Sequence, residues 1–188
     1  MTEAVIFFGL GVLIVALAVL ARRRYAEFFG QTPEDYDDGF PILDIKDHLN
    51  GAMVCEGVIY GPAGRVTSSF VADFDITWDG DVGQMAEHFR YNDGSVQNRA
   101  WRIKLGRYGK FTCTADDVIG EGKGTVAGPS VQMLYRIRLP QDAGGHVLDT
   151  VDWMYLTPDG TIVNRSQFRK YGFKVAELVA TIRQKETG

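Results

Sequence analysis

Between residues 52 and 172 the chain alternates apolar and polar side chains in segment after segment, and hairpin turns separate the segments. This pattern constrains the fold more than any other feature, because a period of two belongs to strands with one buried face. The clearest segment is RVTSSFVADFDITW. Phe70, Ala72, Phe74, Ile76 and Trp78 share one face, and Val71, Asp73, Asp75 and Thr77 the other. QMAEHFRY then places Met85, Glu87, Phe89 and Tyr91 on one side, and NDG follows as a hairpin turn. SVQNRAWRIKL places Trp101, Ile103 and Leu105 together, and VQMLYRIRL does the same for Val131, Met133, Tyr135, Ile137 and Leu139. HVLDTVDWMYL, the turn TPDG and TIVNRSQFRKYG make a further hairpin. Residues 173–184 fit either strand or helix. About eight to ten strands follow, with no room for crossover helices, so parallel α/β folds are excluded. The expected fold is all-β: an antiparallel, lipocalin-like barrel, closed so that no edge strand is exposed.

A second feature stands apart from the strands. Ala4 to Ala21 is a run of 18 residues without a charge or strongly polar side chain. As a helix it spans about 27 Å, close to the hydrocarbon thickness of a bilayer. Its basic cluster, Arg22, Arg23 and Arg24, follows the run instead of preceding it. That order favours a retained transmembrane anchor over a cleaved signal peptide. It also favours a cytoplasmic body, since arginines beside a span stay inside. The expected organisation is an anchor at 4–21, a juxtamembrane linker with a short helix at 22–48, and a barrel domain at 49–184. Ile42, Ile45 and Leu49 set the short helix, and Gly51 stops it.

Composition excludes several classes. Twenty Lys plus Arg against 24 Asp plus Glu give a net charge of -4, which disfavours a nucleic-acid binder. Two cysteines, Cys55 and Cys113, do not make a disulfide scaffold, and buried thiols are the expected state. His48, His88 and His146 are scattered without metal-ligand spacing, so no metal site is expected. GEGKGT lacks the ending of a phosphate loop, and no Ser lies in a nucleophile elbow. No cofactor and no catalytic set is expected.

The stretches HLNG, FVADFDITWDGD, EHFRYNDG with NRAWRI, TADDVIGEGKG, VDWMYL and NRSQFRKYGF carry a resemblance to a bacterial family. This is the lipoprotein-like domain-of-unknown-function family 3833. The resemblance covers roughly residues 49 to 184 and implies an envelope protein, often held by an N-terminal lipidated Cys. Here the only cysteines lie inside the body, so the apolar helix takes over the anchoring. The resemblance implies a periplasmic barrel where the arginines imply a cytoplasmic one. The expected location is a bacterial inner membrane, crossed once. Where the family tends to have paired acids before the Trp, this chain has Val151 and Asp152, and Ala176 replaces a Gly before Glu177.

The candidate ligand-binding residues are Trp78, Glu87, Trp101, Asp116, Asp117, Asp152, Trp153, Asn164 and Arg165. The three tryptophans, with Phe74, Phe89 and Tyr135, are expected to line the interior, either filling it or leaving a pocket for an acyl or isoprenoid chain. Asp116 and Asp117 fit a turn that caps backbone N–H groups, or a ligand contact. A two-residue turn at Pro158-Asp159 would place Asp152 opposite Arg165, paired directly or through Asn164. The leading function is a membrane-tethered barrel that binds an apolar, lipid-like small molecule, with membrane lipid around residues 4–21. A structural or protein-interaction module of the envelope, with an unknown protein partner, is the alternative. An enzyme using Glu87, Asp116 or Asp152 is the third reading.

Overall fold

A computed structural model describes residues 2–26, 28–141 and 143–186, with the side chain of Arg23 outside the description. The part that Arg23 plays in the arginine cluster, Glu27 of the juxtamembrane stretch and Asp142 of the turn at 141–145 therefore lie outside the described residues. The chain forms two compact units, residues 1–35 and 36–188.

The first unit is dominated by helix α1, Thr2–Tyr25. Its segment Thr2–Arg22 is long and apolar enough to cross a membrane, and none of it is buried within the protein. A helix that is apolar on all sides has no face to turn towards water. Thr32 N–H donates to Asp35 Oδ2 at 2.7 Å and turns the chain after it.

The second unit is a closed barrel of ten antiparallel strands. They are β1 Gly51–Tyr60, β2 Val66–Asp79, β3 Val82–Tyr91, β4 Val96–Leu105, β5 Lys110–Thr114, β6 Gly122–Ala127, β7 Ser130–Arg138, β8 Val147–Leu156, β9 Ile162–Lys170 and β10 Phe173–Gln184. Each pairs with the next in sequence, and β10 returns to β1, with Cys55 opposite Ile182. The segment that fitted helix or strand is thus the strand that closes the ring. It cannot be spared, because without it β1 and β9 would be open edges. The alternation of β2 falls as expected. Phe70, Ala72, Phe74 and Ile76 are buried inward, and Val71, Asp75 and Thr77 are exposed.

One end of the barrel is plugged. Helix α2, Ile45–His48, starts where the Asp44 side chain accepts hydrogen bonds from the N–H groups of Lys46 and Asp47. Leu43, Ile45 and Leu49 join the core at that end. Trp78 Nε1–H donates to the Leu49 carbonyl at 2.8 Å and ties the plug to β2.

Two irregularities position the site. β5 pairs with β4 only from Arg102 to Leu105, so Val96–Trp101 have no strand on that side. The segment 115–119 fills the gap, with Val118 bridging Ile137 and Arg138 N–H donating to the Asp117 carbonyl at 2.8 Å. β5 and β6 also lie close, because Gly124 sits under the Phe111 ring. A Cβ there would come within 2.0 Å of the ring.

Candidate functional site

The barrel interior holds a cavity of about 550 Å³. Ten strands enclose more volume than eight, whose interior side chains can just fill. The lining is mostly apolar and aromatic, with Phe70, Phe74, Phe89, Trp101, Phe111 and Phe168 among its residues. Ile45 and Leu49 of the plug form its floor, and Ser95, Pro140 and Ala143 of the opposite loops reach its other end.

A small polar group lies midway along this wall. Glu87 and Arg99 face each other across β3 and β4. Arg99 Nη1 stands 3.6 Å from Glu87 Oε2, too far for a hydrogen bond. The rest of the Arg99 fork is committed to Asp117, with Nε to Oδ2 at 2.7 Å and Nη2 to Oδ1 at 2.9 Å. This bidentate pair stitches the loop that fills the β4–β7 gap to the inward face of β4. Arg99 also lies over the Trp101 ring, 4.5 Å from its centroid. Burial works against the Arg99 charge, but Glu87 and Asp117 together hold its pKa above the usual arginine range.

Asp152, across the interior on β8, has a different support. It accepts from Asn164 Nδ2 and, at 2.8 Å, from Ser166 Oγ, both on β9. Burial raises its pKa, and these two neutral donors only partly oppose the rise. Burial likewise pushes the Glu87 carboxyl up to about 7, with Arg99 opposing and Asp152 and Asp117 reinforcing. Cys55 also lines the cavity, and burial drives its thiol far above the usual range. Both cysteines are buried free thiols. Among the described residues, no cluster of three or more metal-ligating side chains occurs. The arrangement can therefore hold an apolar molecule and offer it hydrogen-bond acceptors at one level of the wall.

The structure brings Glu87, Trp101, Asp152 and Asn164 together on the lining, and Asp117 joins them through Arg99. Trp78 instead belongs to the plugged end, and Asp116 is exposed. Two further expectations are corrected. Trp153 is fully buried but not in the interior. β8 turns Leu148, Asp152 and Met154 inward, so Trp153 faces out, under Tyr36 at 5.4 Å and beside Tyr155 at 5.9 Å. Arg165 does not pair with Asp152. The turn is one residue longer than expected: Thr157 N–H bonds the Thr161 carbonyl, and Gly160 takes a φ of 87°. The register becomes Asp152 opposite Ser166 and Trp153 opposite Arg165. A one-residue slip exchanges faces, so Arg165 lies outside and bonds Glu177 at 2.6 Å. The expected link through Asn164 does form on the Asp152 side.

Arg99 and Ser166 were not among the candidates. Arg99 shares the parity of Trp101, Ile103 and Leu105, and a charge at inward parity is the signal that would have found it.

Several solved structures share this fold. An S-type phycobiliprotein lyase, CPES, from Guillardia theta is 10% identical with a TM-score of 0.55, covering 76% of this chain and 91% of its own. Rv2717c from M. tuberculosis is 14% identical with a TM-score of 0.52, covering 74% and 94%. At such identities the likeness is one of fold alone. No curated protein matches the chain. Residues 25–184 match the model of a protein family of unknown function, DUF3833, a span that takes in every strand of the barrel. The chain belongs to the DUF3833 family.

Proposed function

We propose that this protein is a membrane-tethered barrel that binds an apolar, lipid-like molecule at the bacterial cell envelope. The observation that carries this reading is the cavity of about 550 Å³. Ligand pockets run to roughly 300–1,000 Å³, mostly apolar with a few placed polar groups. Glu87, Arg99 and the trio of Asp152, Asn164 and Ser166 are such groups. Each CH₂ of a ligand buried here contributes about 0.8 kcal/mol. A chain of a dozen carbons therefore retains useful affinity after the cost of association. The apolar segment Thr2–Arg22 supports the tether, and it would keep the barrel where such molecules are concentrated.

Two experiments test the reading. Full-length protein is extracted under native conditions and its co-purifying molecules are read by mass spectrometry, alongside titration with a fluorescent acyl probe. A stoichiometric apolar ligand or saturable probe binding is expected. Neither one appearing would leave a surface-acting envelope protein as the better account. For the tether, carbonate-washed membranes should retain the protein, and recovery in the soluble fraction would remove that part of the proposal.

A further inference from the structure

The polar groups of the cavity are unbalanced in sign. Among the described lining residues Glu87 and Asp152 are the acids and Arg99 is the one cation. Arg99 is already engaged, by Asp117 through two hydrogen bonds and by Glu87 at 3.6 Å. An entering carboxylate would have to displace Asp117 from that fork and would meet two like charges in a poorly solvated space.

Acceptor capacity, by contrast, is left unpaired. The Glu87 side chain is 7% exposed, and its Oε2 accepts no hydrogen bond. Asp152 accepts hydrogen bonds from the neutral donors Asn164 and Ser166, and the cation that acts on it is Arg99, already shared with Asp117 and Glu87. Both acids line the same cavity, and burial raises the pKa of each. Buried carboxyls short of counter-charge are satisfied by a proton or by a cation brought to them. An ammonium group supplies that charge together with three donors and no acceptor.

We propose that the cavity selects an apolar chain ending in a protonated amine over a fatty acid of the same length, with Glu87 and Asp152 receiving the ammonium group. The selectivity rests on the apolar-ligand reading above and gives it a ligand class. The aromatic wall takes the chain, and the acids at mid-depth take the head.

The test is displacement of N-phenylnaphthylamine from the full-length protein in nanodiscs by dodecylamine, dodecanol or dodecanoate, with protein-free nanodiscs subtracted. Dodecylamine is expected to compete at least about tenfold better than dodecanoate, with dodecanol between them. In Glu87→Gln and Asp152→Asn the amine preference should shrink towards the dodecanol value, while dodecanol itself is held. Circular dichroism verifies the fold of each variant, and the wild-type ranking stands without either. Dodecanoate binding as tightly as the amine would overturn the selectivity and leave apolar binding intact. An amine preference unchanged in both variants would place the attraction on the acidic outer surface and overturn it too. No competition by any of the three compounds would remove the apolar-ligand reading and this one together.

Discussion

Glu87 and Glu177 are buried to nearly the same degree, 8% and 7% exposed, yet their carboxyls shift in opposite directions. Glu87 faces the cavity, where one arginine is shared among several acids. Glu177 faces the outside of β10 and has two cations of its own, Arg165 at 2.6 Å and Lys174 at 2.5 Å. Burial opposes the charge of both. At Glu177 the hydrogen bonds from Lys174 and Arg165 more than offset it and lower the pKa, whereas at Glu87 burial prevails and raises it to about 7. Solvent exposure alone therefore does not decide whether a carboxylate is tolerated, since Glu87 lies deep inside the barrel and Glu177 near its outer surface. What decides is how deeply the group lies together with how many donors and counter-charges the neighbouring strands bring to it. The outer group is complete in itself, and the inner one has acceptor capacity to spare.

The largest effect that would break this contrast comes from removing the single inner cation. Arg99→Met should cost about 3–5 kcal/mol, because it leaves the buried Glu87 and the partly buried Asp117 without their partner. Urea denaturation followed by tryptophan fluorescence measures this, and a loss under about 1 kcal/mol would show the interior to be more solvated than described.

Next is the pH dependence of Glu87. Its folded pKa of about 7 lies above its ordinary 4.5, so folding favours the protonated form. Its contribution is fully present below about pH 4.5 and is lost as the pH rises through 7. Glu87→Gln cannot ionise. Its stability relative to the parent should therefore improve by roughly 3 kcal/mol between pH 4.5 and pH 8. A difference that stays flat across this window would mean that Glu87 titrates normally.

The outer acid should show the reverse sign. The lowered pKa of Glu177 gives a contribution present above its ordinary 4.5 and lost as the pH falls through the folded value. With both cations partly exposed, solvent screens the group, and Glu177→Gln should cost about 1 kcal/mol at neutral pH and less in 1 M salt. Parallel pH profiles for the two Gln variants, in place of opposed ones, would erase the contrast. The smallest effect belongs to the exposed pair Lys46–Asp81, 2.8 Å apart. Asp81→Asn should change stability by under about 0.5 kcal/mol, and it serves as a reference for a charge that is merely solvated.

The faces of the strands were legible in the sequence, because a period of two needs no knowledge of neighbours. Phe70 to Ile76 and Met85 to Tyr91 could be assigned inward from alternation alone, and so could the all-β class and the long apolar helix. The same logic places Arg99 inside, at the parity of Trp101, Ile103 and Leu105. Tertiary structure alone decided the rest, because each point depends on residues far apart in the chain. Three-residue closure at Pro158-Asp159-Gly160 turned Arg165 outward and gave Asp152 to Ser166. The short β5 left a gap that brought Asp117 to Arg99, 18 residues away. Tyr36 buried Trp153 from outside, where a large aromatic had suggested the interior. Whether the aromatics filled the barrel or left a cavity depended on strand number and on how ten segments closed. Alternation reports which way a side chain points, and only the closed ring fixes how much space it points into.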